Sequence, residues 1–139
     1  MHYRLGIGAR IPLYATASGK TILAFLSKEE IEQYMSKVEL RPLTHATITD
    51  PAVLLRELET VRSELFAYSR QERFEGLSAM AVPVFRMDGC VAASVALIYL
   101  SRRSESVNAS DTKDALREAS DELSTRLGFQ GNGFKRVFV

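Results

Sequence analysis

Residues 17–21 (ASGKT) have the residue types found at the end of a phosphate-binding loop. Such a loop uses glycines so that backbone N–H groups can surround the phosphates, a lysine for their charge and a hydroxyl for magnesium. The first glycine of that pattern would fall at position 14, where this chain has Tyr14. A bulky residue at that bend defeats the phosphate site, so we do not expect nucleotide hydrolysis. We expect instead that Gly19 allows close helix packing and that Lys20 is exposed.

The other candidates for catalysis are two histidines and one cysteine. Neither His2 nor His45 lies at metal-ligand spacing from another ligand. No nucleophile elbow or oxyanion loop accompanies His45, so we interpret it as structural. Cys90 has only Arg86 as a basic neighbour and is interpreted as an ordinary packed or half-exposed thiol. We therefore expect no catalytic residue, no metal site, no cofactor and no enzymatic activity.

Residues 70–75 (RQERFE) form a charged connection that contains one candidate for ligand binding. A guanidinium at the mouth of an apolar cavity can hold a carboxylate by two parallel hydrogen bonds, and Arg70 is placed to do this. The alternative is a surface ion pair between Arg70 and Glu72 or Glu75. The sequence leaves both interpretations open.

The stretch 75–100 must position these residues, because it contains two apolar runs joined by Asp88-Gly89. That dipeptide is the strongest short-range signal for a two-residue hairpin turn. Such a turn fixes which residues face each other across the two strands. The predicted pairs are Ala79 with Ile98, Ala81 with Ala96, and Phe85 with Ala92.

The two faces of this hairpin carry side chains of different size, since side chains alternate along a strand. Both faces are apolar, so we expect both to be covered and the hairpin to lie at the centre of a layered domain. The space above the smaller side chains could hold packed helices or a small molecule. The smaller face carries Leu77, Ala79, Ala81, Ala92, Ser94, Ala96 and Ile98, and the bulkier face carries Met80, Val82, Val84, Val91, Val95, Leu97 and Tyr99.

Apolar periodicity and capping residues predict four helices around the hairpin. Thr16 can cap the first, residues 27–30 (SKEE) form a capping box for the second, and Pro51 follows an N-cap at the start of the third. The last helix stops at Gly128. With a short strand at residues 66–70, the order of elements indicates an α+β fold. Residues 3–13 are interpreted as an edge strand or an irregular lead-in, and the tail 131–139 has no assigned partner.

Composition limits the class of protein. The 139 residues are 46% hydrophobic and 25% charged, which predicts one soluble domain with a single core. The net charge of +1 gives no electrostatic footprint for a nucleic-acid surface. A single cysteine rules out an internal disulfide framework and fits a reducing compartment. Without a membrane-length apolar run or a signal peptide, a cytoplasmic location without membrane contact is expected.

Three segments in this order resemble the C-terminal effector-binding domain of the IclR family of bacterial transcription regulators. They are residues 10–24 (RIPLYATASGKTILA), residues 47–51 (TITDP), and Gly76-Leu77 leading to residues 81–85 (AVPVF) and Asp88-Gly89. The resemblance runs from about residue 7 to residue 128. It implies a GAF-like (profilin-like) fold, with a curved antiparallel sheet, helices packed on it and a ligand cavity.

The resemblance also implies the role of the chain in a longer protein. Residues 1–139 would form one effector-binding (sensor) domain, and the N-terminal winged helix-turn-helix of the family is absent from this chain. DNA would be contacted only through that missing domain, by a homodimer or homotetramer. The effector would alter operator binding by the full-length oligomer.

By the same resemblance, the effector would contact the start of the first helix, the end of the first strand and the hairpin. Family members that bind small oxo-acids often place aspartate, cysteine and two serines at four of these positions, where this chain has Ser69, Ala79, Ala96 and Ile98. The hairpin pairing independently places four of the implied residues on one face. The implied effector-binding residues are Ala17, Ser18, Ser69, Arg70, Leu77, Ala79, Ala96 and Ile98.

These substitutions remove polar contacts and so predict a hydrophobic effector. Each underpaired oxygen of a small polar acid would cost about 1 to 3 kcal/mol, whereas an apolar body gains roughly 25 cal/mol per Å² buried. We expect an aromatic or medium-chain carboxylic acid whose polar end meets Ser18, Ser69 or Arg70. A GAF-like nucleotide-binding module and a small-molecule enzyme are the alternatives.

Overall fold

The computed structural model describes residues 6–131, which form four α-helices and one three-stranded antiparallel sheet. The predicted α+β class is therefore confirmed. Short 3-10 turns precede the first helix and follow the last strand. The elements are α1 (Ala17–Ala24), α2 (Lys28–Lys37), α3 (Pro51–Glu64), β1 (Ala67–Arg70), β2 (Leu77–Phe85), β3 (Val91–Leu100) and α4 (Ala109–Arg126).

The predicted helix starts are confirmed by their capping hydrogen bonds. The Thr16 side chain accepts from the backbone N–H of Gly19 at the start of α1. At α2, Ser27 accepts from the Glu30 N–H while the Glu30 carboxylate accepts from the Ser27 N–H, a complete capping box. At α3, the Asp50 side chain accepts from the Ala52 N–H, with proline at the first helical position. These bonds fix where each helix enters the core.

The strands are ordered β1-β2-β3, so the predicted hairpin forms the centre and one side of the sheet. Ala79 pairs with Ile98, and Ala81 pairs with Ala96, as predicted. On its other side, Ala79 pairs with Ser69 of β1. Ser69, Ala79 and Ile98 therefore form one row across the three strands.

The predicted pairing of Phe85 with Ala92 is wrong, because Phe85 pairs with Val91. Arg86 N–H donates to the Cys90 carbonyl across a loop of three residues, 87–89, rather than two. Gly89 takes a φ of +80° there, the conformation that three-residue hairpin loops place after a type I turn. A register shift at Val84/Phe85 compensates for the extra loop residue, so the pairing beyond it follows the prediction.

The two faces of β2 are covered by different layers. On the face of Ala67 and Ala81, α1 and α3 build the larger core cluster, and Ala81 is completely buried. On the opposite face, Met80 and Val82 pack with Leu116 of α4. The expectation that both faces are covered thus holds for β2. It is wrong for β3, the sheet edge in the described part of the chain, where the side chains of several apolar residues are exposed.

Two further predictions concern the ends of the chain. Residues 6–12 contain no strand, which favours the irregular lead-in over the edge strand. His2 and residues 132–139 of the tail lie outside the described residues. Among residues 6–131, no helix combines the length and the apolar composition needed to cross a bilayer.

Candidate functional site

A cavity of about 50 Å³ lies between the start of α1 and the row of residues that crosses the sheet. Two of the three residues in that row, Ser69 and Ala79, have small side chains, which leaves space above the sheet. From the helix side the cavity is lined by Ile11, Ala15, Thr16, Ala17 and Ser18. From the sheet side it is lined by Ser69, Leu77, Ser78, Ala79 and Ile98, and from the connection between β1 and β2 by Arg73 and Phe74.

Six of the eight residues that the sequence suggested for effector binding lie together around this cavity. They are Ala17, Ser18, Ser69, Leu77, Ala79 and Ile98. Ala96 does not line it: it pairs with Ala81, two positions along the strands from the row of Ser69, Ala79 and Ile98, and it is exposed. Whether the six residues contact an effector stays a prediction.

The second residue that does not line the cavity is Arg70. Strand alternation explains this, since Ser69 is buried on the cavity side and Arg70 is exposed on the other face. The Arg70 guanidinium lies 5.1 Å from the centre of the Tyr68 ring, a cation–π contact. The alternative ion pair is not formed either: Glu72 and Glu75 contact Lys20 and His45.

Six lining residues were not suggested as site residues by the sequence: Ile11, Ala15, Thr16, Arg73, Phe74 and Ser78. Two of them, Arg73 and Phe74, come from the charged connection after β1. After β1 the chain turns, with Gln71 at φ 58° and Gly76 at φ 80°, and this turn brings the intervening residues to the cavity. The Arg73 Cζ lies 4.9 Å from the centre of the Phe74 ring. One terminal nitrogen of Arg73, Nη1, is buried without a hydrogen-bond partner in the described structure. The charged segment RQERFE was the only sequence signal for this arginine.

Lys20 of α1 is completely buried, so the prediction of an exposed lysine is wrong. Its Nζ lies 3.0 Å from Glu57 Oε1 and 2.9 Å from Glu72 Oε1. The lysine of the ASGKT segment is therefore committed to two carboxylates and not to a phosphate. The expected close packing at Gly19 is confirmed, because a Cβ there would lie 2.2 Å from the Leu13 carbonyl oxygen.

The Glu72 carboxylate is the least exposed partner of this ion cluster. Its residue is 8% exposed, and its second oxygen, Oε2, has no hydrogen-bond partner among the described residues. Burial raises the pKa of Glu72 above its ordinary value, although Lys20 acts in the opposite direction. Glu72 is thus held beside the cavity by Lys20, at a cost in desolvation.

The described lining of the cavity contains hydroxyls and one guanidinium but no carboxylate. Neither histidine nor cysteine is among the lining residues. His45 is exposed, with Nδ1 3.4 Å from Glu75 Oε1, and Cys90 is half-buried beside the hairpin loop. Within residues 6–131, no three potential metal-ligating side chains come together.

Comparison with known proteins agrees with this architecture. Residues 1–125 match the family model described as the C-terminal domain of the bacterial transcriptional regulator IclR. The transcriptional regulator KdgR of Escherichia coli is 34% identical over 92% of this chain, and the match covers 49% of KdgR. The chain thus spans about half the length of the curated relatives it matches.

Solved structures show the same fold. The crystal structure of Thermotoga maritima IclR has a TM-score of 0.85 at 39% identity, over 93% of this chain and 51% of that one. The inducer-binding domain of PobR from Acinetobacter, a double mutant in complex with 3-hydroxybenzoic acid, has a TM-score of 0.78 at 31% identity, over 84% of this chain and 67% of that one. The chain therefore belongs to the IclR family of bacterial transcriptional regulators, to its C-terminal domain.

Proposed function

We propose that this domain senses a hydrophobic carboxylic acid on behalf of a longer transcriptional regulator and is not an enzyme. The observation that carries the proposal is the cavity itself, which combines an apolar lining with one guanidinium and several hydroxyls but has no histidine, cysteine or carboxylate to act as nucleophile or as base for a hydroxyl. Such a site binds a small molecule and releases it unchanged.

The lining favours an apolar body on the ligand. Leu77, Ala79 and Ile98 form one wall, and Ile11 and Ala17 contribute from the opposite side. Three of the four lining hydroxyls already have a partner: Thr16 caps α1, Ser78 Oγ lies 2.7 Å from Ser101 Oγ, and Ser69 Oγ donates to the Ala15 carbonyl at 3.4 Å. A small polar acid would therefore find few donors for its oxygens, whereas apolar burial gains roughly 25 cal/mol per Å².

The lining favours an apolar ligand, but the cavity as it stands is too small for an aromatic ring. Its volume of about 50 Å³ is a third of the roughly 150 Å³ that holds benzene in an engineered protein core. An aromatic acid thus requires side chains at the mouth to move. Phe74 is the candidate, since it is 37% exposed and lies on the connection between two strands rather than within one.

A relative supports the aromatic ligand class. The PobR inducer-binding domain, which shares this fold, binds 3-hydroxybenzoic acid in its double-mutant form. A domain of this fold can therefore form a complex with a benzoate-sized molecule. We extend this ligand class to the present chain because its own cavity lining is mainly apolar.

The mechanism we propose is thermodynamic linkage. The effector alters operator binding only if it binds two arrangements of the full-length regulator unequally, commonly by about 1 to 3 kcal/mol. DNA is contacted through the N-terminal domain of the longer protein, and the regulator acts in the cytoplasm as a homodimer or homotetramer. Light scattering on the full-length protein measures that oligomeric state.

Isothermal titration tests the ligand class. The panel contains benzoate, 3-hydroxybenzoate and octanoate against glyoxylate and pyruvate, and we expect the first three to bind more tightly. Tighter binding of the two small acids would refute the proposal. Ala79→Leu should abolish binding by filling the cavity, whereas Ala93→Leu on the exposed part of β3 should not.

The nucleotide-binding alternative is less well supported by the charges near the cavity. A phosphate needs a cluster of cations, yet Lys20 is paired with two carboxylates and Arg70 lies on the other face of the sheet. Thermal shift with cyclic nucleotides checks this directly, and a shift larger than that given by benzoate would favour the alternative.

A further inference from the structure

We propose that Arg73 holds the carboxylate of the effector and so determines the preference for acids over their uncharged counterparts. The inference rests on the proposed function, because it assigns a role at the same cavity. It replaces the expectation that Arg70 performs this task.

The first support is the unused hydrogen-bonding capacity of Arg73. Its Nη1 nitrogen is buried and has no acceptor among the described residues, although guanidinium N–H groups are strong donors. Leaving such a group buried and unsatisfied is unfavourable. A carboxylate entering the cavity would accept from it, and the fork of donors in an arginine allows two parallel hydrogen bonds.

The second support is that the other nearby cations are engaged elsewhere. Lys20 is closed off from the cavity by its ion pairs with Glu57 and Glu72. Arg70 is exposed on the opposite face of β1 and lies over Tyr68. Among the described residues that line the cavity, Arg73 is the single one with a permanent positive charge.

The third support concerns the acid next to Arg73 in the chain. Glu72 would be the natural partner for an adjacent guanidinium, but its Oε1 lies 2.9 Å from Lys20 Nζ. Its backbone carbonyl also accepts a 2.6 Å hydrogen bond from Thr47. Glu72 is thereby held toward the interior, which leaves the positive charge of Arg73 available at the cavity.

The resulting geometry predicts the orientation of the ligand. The carboxylate lies at Arg73, within the group of lining residues that includes Ser18 and Ser69. The apolar body extends along Leu77 and Ile98 toward the open edge at β3, where Ile98 is 38% exposed. A longer acid can extend at that edge, whereas its carboxylate is bound at a fixed position beside Arg73.

Titrations with benzoate and benzamide, and with octanoate and octanamide, test the proposal, because each pair differs in charge at nearly constant size. The variants are Arg73→Met, Arg73→Lys and, as a matched control, Arg70→Met. We expect wild type to prefer each acid to its amide, and Arg73→Met to weaken acid binding by about 10- to 100-fold. Amide binding should hardly change. Arg73→Lys should retain part of the affinity, since it keeps the charge and loses the fork.

The outcomes separate this inference from the proposed function. If wild type binds the acids and Arg73→Met binds them equally well, Arg73 is not the anchor and the inference is overturned while the proposed function stands. Loss of binding in Arg70→Met with wild-type binding in Arg73→Met would return the role to Arg70. If wild type binds none of the four probes, the proposed ligand class fails as well.

A stability measurement distinguishes loss of the carboxylate contact from loss of folded structure. The Nη1 nitrogen of Arg73 makes no hydrogen bond in the described structure. Arg73→Met should therefore leave the melting temperature of the unliganded domain unchanged or raise it. A lowered melting temperature together with equal losses for acid and amide would show a structural role and overturn the inference.

Discussion

Replacing Lys20 by methionine should destabilise the domain severely, because the lysine is the only cation of a buried three-residue ion cluster in the described structure. Its Nζ is completely buried between Glu57 and Glu72. Without it, Glu57 can be hydrated, since 35% of its side chain is exposed, but Glu72 has only 10% of its side chain exposed. Removing one partner of a buried ion pair costs about 3 to 5 kcal/mol, a large part of the 5 to 15 kcal/mol that typically stabilises a domain.

Urea denaturation at neutral pH measures this loss, and the chain offers a matched control. Lys28 pairs with Glu32 on α2, but the two side chains are 84% and 66% exposed. Exposed pairs one helical turn apart contribute about 0.3 to 0.5 kcal/mol. Lys28→Met should therefore change the free energy of unfolding by less than about 0.5 kcal/mol, although the substitution is chemically the same.

A second variant separates the unpaired charge from the lost packing. In Lys20→Met/Glu72→Gln no unpaired buried carboxylate remains, so we expect at least half of the lost stability to return. If Lys20→Met costs no more than Lys28→Met, the buried cluster does not stabilise the fold and this reasoning is wrong. If the single variant fails to fold and the double variant also fails, the loss comes from packing and not from charge.

Three further predictions concern the frame around the cavity. Gly19→Ala should lower the free energy of unfolding by about 1 to 3 kcal/mol in urea denaturation, because the new Cβ would overlap the Leu13 backbone, and an unchanged midpoint would contradict this. Ser120→Ala should lower the free energy of unfolding by about 1 kcal/mol, because it removes a buried hydrogen bond to a β2 carbonyl. Ser63→Ala, which removes an exposed hydrogen bond, should lower it much less, and equal effects would contradict the prediction. The raised pKa of Glu72 means that its contribution to stability is largest below the unfolded value near 4.5 and falls as the pH rises through the folded value. Denaturation of wild type and Glu72→Gln between about pH 4 and pH 7 should show the difference shrinking in that direction, and a constant or growing difference would refute the sign.

The regular part of the fold followed from the sequence because its signals are local. Capping residues specified the starts of α1, α2 and α3, and period two specified the two faces of the hairpin. The pairing of Ala79 with Ile98 needed only the position of the turn. Six of the eight suggested site residues come together for the same reason: they lie on regular elements, or directly at their ends.

The wrong predictions were those that inferred an arrangement from one local signal although other residues also determine it. Asp88-Gly89 predicted a two-residue turn, but the structure uses three residues and a compensating bulge, so the error affects only the pairing next to the turn. Lys20 was expected at the surface because lysine usually is. Its burial depends on Glu57 and Glu72, which are 37 and 52 residues away in the sequence, and no spacing rule connects them.

The choice between Arg70 and Arg73 shows why the charged connection could not be resolved from the sequence. Alternation along β1 would have excluded Arg70 if Ser69 was accepted as a cavity residue, because neighbours on a strand point to opposite faces. The same rule says nothing about Arg73, which lies beyond the strand end and beyond a residue with positive φ. Only the turn through Gln71, closed by the Gly76 N–H on the Gln71 side chain, brings Arg73 back over the cavity. The one guanidinium among the described lining residues is therefore positioned by an irregular connection, whereas Leu77, Ala79 and Ile98 are positioned by regular strands.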